Sequence, residues 1–438
     1  MCAWRASYRL PGTPITDRLL RLAVKMNTML NSPWARSAAG ANTYDHASGA
    51  VLPTIYERTT AAALAAGAIN LGQGFPDGEG PEWMRRTAAE SITESAIGPT
   101  NQYSPGMGLP MLREAVATHQ QRHYGVQLDP FQQVMATTGA TEGIAASILA
   151  FASAGSEVLS FEPWYDSYGG LVALAGAQLR TVALKAPDFR PDVDALVSLI
   201  SEKTSMILLN TPHNPTGTVF TSQELEQILS AAQQHDVVVM CDEVYEHLVF
   251  DGAVHTPILA VPGADEVAVA VGSAGKSFSL TGWKVGWVTG SAALINRVRG
   301  VKQFLSFTSG PAYQWAVAQG LNDDRGFFAQ NQATLQTNRD RLAEGLAAAG
   351  LQPYAPRAGY FVLADISAVT DTTAAQFCAD LAEQVGVAAI PVSALTKGDD
   401  DSAELDQLVR FAFCKDRATL DEAISRLEQA QLGQRRLG

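Results

Sequence analysis

From Val134 onward, short runs of β-branched and aliphatic residues alternate with longer Ala- and Leu-rich stretches. The runs predict strands over 134–138, 157–161, 205–210, 237–241, 267–271 and 285–289; the stretches between them predict helices over 141–152, 171–175 and 222–235. Apolar runs without polar alternation are buried on both faces, and strands separated by helices pair in parallel. Long helices follow over 314–321 and 331–349. The last hundred residues change character, with strands over 360–364, 387–391 and 408–413 set among helices. A final helix over 419–427 carries Leu420, Ala423, Ile424 and Leu427 on one face. The expected fold is α/β: a large domain whose mainly parallel sheet is flanked by helices, then a smaller α+β domain beginning near residue 325.

Length agrees, since 438 residues exceed one ordinary core. With 47% hydrophobic and 17% charged residues the chain is globular, not disordered. A formal net charge of -13 argues against nucleic-acid and anionic-membrane partners, which need clustered Lys and Arg. No apolar run reaches the roughly 20 residues that cross a bilayer. Cys2, Cys241, Cys378 and Cys414 are scattered without paired or metal-type spacing, so a reduced, cytoplasmic protein is expected. His119 and His123 are four apart, but no Glu follows the first and no Cys/His cluster lies nearby. The pair reads as a solvated helix face, and no metal site is expected. Residues 1 to about 45 hold several arginines, Ser, Asn and Gly without a signal-peptide core, and read as an arm outside the fold.

Ligands of an open parallel sheet sit beyond the carboxyl ends of its strands, and the chemically capable residues cluster there. Ser273-Ala274-Gly275-Lys276 leaves one buried strand. A lysine among small residues at such a point loses charge to burial, as imine formation with an aldehyde cofactor requires. Lys284 and Ser273 can serve a phosphate. A loop lysine reaching solvent is the alternative. Asp242 ends another strand as a buried carboxylate in want of a cation, which a pyridinium nitrogen would supply. Tyr245, three residues on, could donate to a phenolic oxygen; a turn-capping Asp is the alternative. Asn210 to Gly217 is a strand exit with two prolines that hold Asn214 in a set direction, or simply a tight turn.

Gly139-Ala140-Thr141 opens a helix after a strand, where free N–H groups bind phosphate or are merely capped. Tyr165 could stack on a planar ring or belong to the core. Gly72 and Gly74 allow a ligand close to the backbone. Tyr103 is a surface residue or a phosphate contact. Arg410, inside an apolar strand, wants a carboxylate from a substrate or from an internal salt bridge.

Taken together, these residues resemble the fold-type I class I/II aminotransferases, which use pyridoxal 5'-phosphate (PLP). The nearest likeness is to the kynurenine/glutamine/methionine branch and its bacterial N-succinyldiaminopimelate aminotransferase-like relatives. The likeness is carried by NLGQGFPDGEGP, NQYSPGMGLPMLREAV, TTGATEG, EPWYDSY, NTPHNPTG, CDEVYEHLVF, SAGKSFSLTGWKVGW, GVAAIPVSAL and LVRFAFCKDRATLDEAI, in order from about residue 50 to the end. The resemblance implies that Lys276 is the Schiff-base lysine and proton carrier, and Asp242 the partner of the pyridine nitrogen. It assigns Asn214 and Tyr245 to the phenolic oxygen, Tyr165 to ring stacking, and Ala140, Thr141, Ser273 and Lys284 to the phosphate. Gly74 and Arg410 become the α-carboxylate site, with Asn210 and Asn214 assisting. Tyr103 corresponds to a tyrosine that crosses to the neighbouring subunit's phosphate, which implies a homodimer with shared active sites. Residues 49–74 would join 326–438 in the small domain, 75–325 would form the PLP-binding domain, and 1–48 an N-terminal extension.

The implied reaction moves an amino group between an α-amino acid and a 2-oxo acid, with a kynurenine-, glutamine- or methionine-type donor. The alternatives are N-succinyl-diaminopimelate:2-oxoglutarate transamination and cysteine-conjugate β-elimination. A ligand sensor on the same fold is disfavoured by the missing helix-turn-helix and the retained Lys276. One departure touches specificity: Arg357-Ala358-Gly359-Tyr360-Phe361 stands where the branch often has Gly-Thr-Tyr-Phe.

Overall fold

The computed structural model describes residues 32–94, 98–398 and 400–433. Seven strands form the main sheet: β1 (Val134–Thr138), β2 (Glu157–Glu162), β3 (Gln178–Ala183), β4 (Thr204–Asn210), β5 (Val238–Asp242), β6 (Ala268–Ser273) and β7 (Val285–Gly290). Their order is β1-β7-β6-β5-β4-β2-β3. From β6 through β3 every pairing is parallel, while β7 runs antiparallel to both β1 and β6. Strands β4 to β7 are buried almost throughout, which is why they read as continuous apolar runs.

Strand β3 is additional to the strands expected from the apolar runs. It is an edge strand, half-buried, and its Gln178, Arg180 and Thr181 break the apolar run. The expected helix over 171–175 is Ser167–Leu174. Its opening Ser-Tyr-Gly-Gly reads locally as a turn, yet Tyr168, Gly169 and Gly170 are buried.

Helix Ser222–Gln234 shows the local logic of the layer. Thr221 and Glu224 form a reciprocal capping box, and Leu225, Ile228, Leu229 and Ala232 face the sheet at helical spacing. Helix Gly139–Phe151 approaches the sheet more closely. A Cβ at Gly143 would lie 2.9 Å from Val288 Cγ2, so glycine sets the depth of this contact.

A second, four-stranded antiparallel sheet is ordered Gln352–Tyr354, Phe361–Asp365, Leu408–Ala412, Ile390–Pro391. The single strand expected over 387–391 is two. Val387–Ala388 pairs in parallel with Ile69–Asn70, whereas Ile390–Pro391 pairs with Arg410 and Val409. The chain changes partner at Ala389, which an uninterrupted apolar run cannot reveal. Leu71 shares its core with Phe361, Phe411, Phe413 and the C-terminal helix Arg417–Ala430.

The expected arm is structured where it is described. Helix Pro33–Gly40 packs against Ser167–Leu174, with Gly40 so near that a Cβ would sit 2.4 Å from the Gly169 carbonyl oxygen. The first 31 residues of that expected extension lie outside the described residues. No described helix is long and apolar enough to cross a membrane.

Candidate active site

The carboxyl ends of β1, β2, β4, β5 and β6 open onto one cavity between the main sheet and the smaller one. It is lined by Gly74, Ala140, Thr141, Tyr165, Asn210, Asn214, Asp242, Tyr245, Ser273, Lys276, Lys284 and Arg410. Every site residue named from the sequence is thus brought together except Tyr103. That side chain is 86% exposed, packed edge-on against Phe307 at 5.7 Å.

Lys276 lies on the one-turn helix Ala274–Ser277 that leaves β6. Its Nζ donates to the Gly74 carbonyl at 3.1 Å and lies 5.5 and 5.3 Å from the ring centres of Tyr245 and Tyr360. Burial in this aromatic surround lowers its pKa to about 8. Asp242, the last residue of β5, is pushed up to about 6 by burial, against the opposing pull of its hydrogen bonds. Its Oδ2 accepts from the Tyr168 hydroxyl at 2.5 Å and its Oδ1 from Val244 N–H at 3.3 Å.

The loop after β4 is held by Asn210. Its Nδ2 donates to the carbonyls of Asp242 (2.9 Å) and Pro212 (3.2 Å), and its Oδ1 accepts from Asn214 N–H at 2.7 Å. Asn214 Oδ1 in turn accepts from Arg410 at 3.3 Å.

At the start of helix Gly139–Phe151, Gly139 adopts φ +71°, and a Cβ there would come within 3.2 Å of Lys284 Nζ. A Cβ at Gly286 would lie 2.7 Å from Ala140 N. Glycine therefore leaves a cationic side chain and the first helical N–H groups open to one small pocket, a suitable setting for an anion.

Arg410 is 1% exposed and stacks on Phe361, with its guanidinium carbon 3.9 Å from the ring centre. One terminal nitrogen donates to Gly72 O at 2.9 Å, and Nε has no partner. Among the described residues no carboxylate forms an ion pair with it, so the internal salt bridge is not formed. A buried, planar cation with unspent donors faces the cavity.

Sequence reasoning missed five lining or supporting aromatics: Tyr56, Phe75, Tyr168, Tyr360 and Phe361. Tyr168 had a signal, since it belongs to the same Glu162–Tyr168 stretch as Tyr165, and the two rings meet edge-on at 5.7 Å. Tyr360 donates to the Lys276 carbonyl at 3.0 Å, and Tyr56 comes from a distant helix, so neither had a local signature. The histidine pair is also corrected. His123 is exposed, but His119 is buried against His247 and Glu246. The neighbours that bury it come from another part of the chain.

Residues 66–427 match the aminotransferase class I and II family. The chain is 44% identical over 382 residues to a probable N-succinyldiaminopimelate aminotransferase DapC of Mycobacterium tuberculosis, covering 85% of this chain and 95% of the relative. It is 38% identical over 376 residues to a methionine aminotransferase of Escherichia coli, covering 86% and 95%. The solved structure of an N-succinyldiaminopimelate aminotransferase from Mycobacterium tuberculosis superposes with a TM-score of 0.82 at 44% identity, covering 86% of this chain and 97% of that one. The chain belongs to the class I and II aminotransferases, enzymes of fold type I that depend on pyridoxal 5'-phosphate.

Proposed function

We propose that this cavity transfers the amino group of N-succinyl-diaminopimelate to 2-oxoglutarate, with Lys276 and Asp242 as its catalytic residues. The observation that carries amino transfer is the joint burial of three groups in one cavity. These are an amine lowered to about 8, a carboxylate at a strand end, and a guanidinium without a carboxylate partner.

These residues fit the cofactor. Gly139, Ala140, Thr141, Ser273 and Lys284 would hold its phosphate, and Tyr165 would cover its ring. Asn214 and Tyr245 would face its phenolic oxygen, and Asp242 its ring nitrogen. When bound, PLP supplies an aldehyde carbon for amine exchange and a ring that withdraws electrons from the substrate α-carbon.

The protein's own part follows from the geometry. Lys276 Nζ, when neutral, would serve as the nucleophile toward the aldehyde carbon and as the base for the substrate α-proton. Asp242 keeps a facing cationic nitrogen protonated, and Tyr168 fixes the direction of that carboxylate. Arg410 grips the α-carboxylate shared by amino acids and 2-oxo acids, while Gly74 and Asn214 frame it and Asn210 fixes the loop. The walls of Tyr56, Tyr165 and Phe361 limit water around these charges.

The succinylated donor is supported by 44% identity across 95% of a relative that bears that name. A methionine-type donor is supported by the relative at 38% identity, and a kynurenine-type donor by a kynurenine–oxoglutarate transaminase of Mus musculus at 34%. A homodimer is supported by exposed Tyr103 packed on exposed Phe307, with Phe304 also exposed three residues before it, which leaves aromatic surface to be covered. A reducing, cytoplasmic setting is supported by the unpaired, buried thiols of Cys241, Cys378 and Cys414.

The test is a donor panel of succinyl-diaminopimelate, methionine, glutamine and kynurenine, each against 2-oxoglutarate and pyruvate. The highest kcat/KM is expected for the succinylated donor with 2-oxoglutarate. A higher value for another donor would overturn the substrate assignment; amino exchange with none would overturn the site.

A further inference from the structure

Away from the cavity, a second group of ionisable side chains is buried between helix Pro110–Tyr124 and the segment that follows β5. His119 and His247 face each other, Nε2 to Nε2, at 3.0 Å. Glu246 Oε2 is 3.8 Å from His119 Nε2, and one ligand atom from each of the three residues falls within 4.8 Å of the others.

The partners of these groups fix which atoms carry lone pairs. Ser277 Oγ donates to the Ser273 carbonyl at 3.1 Å, so at 2.8 Å from His247 Nδ1 it accepts. His247 Nδ1 therefore carries the proton, and its Nε2 lone pair points at His119. This is the outer arrangement that orients a metal-bound imidazole. Gln120 Nε2 donates to Glu246 Oε2 at 3.2 Å and holds the carboxylate in the same way. Phe328 stacks on His247 at 3.8 Å and closes the far side.

A hydrogen bond between the rings could satisfy the two Nε2 atoms. It would leave the buried Glu246 charge without a cation. A dication shared by the three residues would neutralise that charge and use both Nε2 atoms.

We propose that His119, Glu246 and His247 form a binding site for a divalent transition cation, Zn2+ above all, with water completing the shell. Two imidazoles and a carboxylate are a zinc ligand set, and Zn–N and Zn–O distances of about 2.0–2.2 Å at tetrahedral angles separate ligand atoms by about 3.3 Å. The observed 3.0 and 3.8 Å bracket that value. His123, exposed one turn along the helix with its ring 4.3 Å from that of His119, marks the route from solvent.

The role is structural. The ion would clamp helix Pro110–Tyr124 to the segment carrying Tyr245 and, through Ser277, to the turn that bears Lys276. The site is separate from the cavity, and its existence does not depend on the donor assignment.

The experiment uses tag-free holoenzyme, stripped by dialysis against a chelator and titrated with Zn2+ against a chromophoric competitor. One equivalent per chain is expected, with a dissociation constant on the order of a micromolar or tighter. Co2+ should give the visible bands of a tetrahedral site. His119→Gln, which keeps volume and polarity, should weaken binding by more than about 100-fold. If that variant does not fold, wild-type protein still decides: Zn2+ should raise its Tm with increasing concentration. Wild type that takes up no tight equivalent, or His119→Gln that binds equally well, would overturn the site.

Discussion

The Tyr168 hydroxyl stands 2.5 Å from Asp242 Oδ2, joining the helix after β2 to the carboxylate that ends β5. Burial works against the charge of Asp242 and this hydrogen bond works for it. Tyr168→Phe should lower kcat roughly ten-fold, the effect of a hydrogen bond to a charged group worth about 1.5 kcal/mol. Asp242→Asn, which cannot balance a cationic ring nitrogen, should lower kcat far more. Steady-state kinetics of the two variants test the order. Unchanged kcat in Asp242→Asn would make that residue a turn cap.

Lys276→Ala should still bind PLP through the phosphate pocket, since Gly139, Thr141 and Lys284 are untouched. Turnover should fall to background, because nucleophile and proton carrier are one atom. Mass spectrometry after borohydride treatment should find cofactor fixed to wild type and absent from the variant. Normal transamination by the variant would remove Lys276 from the chemistry.

The lowered pKa of Lys276 has a visible consequence in the apo-enzyme. Only the neutral amine attacks an aldehyde, and the neutral fraction grows as pH rises through the pKa. With burial holding that value at about 8, the rate of PLP recombination should climb between about pH 7 and 9 and then level off. Stopped-flow recombination across pH checks this. A midpoint near the ordinary lysine value would mean the amine is solvated.

Arg410→Lys keeps the charge and loses the fork. It should raise KM for both amino acid and 2-oxo acid by about ten-fold or more, with Tm within a few degrees of wild type. Loss of one member of a buried ion pair would instead cost about 3–5 kcal/mol of stability. Kinetics and thermal melting of the same preparation separate the two outcomes. A collapsed Tm with normal KM would exclude the carboxylate role.

Tyr103, exposed in the single chain, should become buried on association. Sedimentation at assay concentration should find a dimer as the smallest active species. Tyr103→Phe should weaken PLP retention without dissociating it. An active monomer would rule out shared sites.

Much of this was legible along the chain because it is local. The apolar runs of β4 to β7 reported burial on both faces, and the polar residues just beyond them had to lie at the open edge of the sheet. Lys276, Asp242, Asn214 and Thr141 could be named for that reason: each lies within a few residues of a strand end. Packing partners are another matter. Edge strand β3 is half-solvated and carries no apolar signature, and the run over 387–391 divides between two sheets because of what lies beside it. Arg410 reaches Gly72 across 338 residues, and His119 meets His247 across 128. Periodicity tells a residue which way to face, but not which distant segment will face it. That is decided when the two sheets and their helices close on one another, and only then do a lone arginine and a helix-face histidine acquire their chemistry.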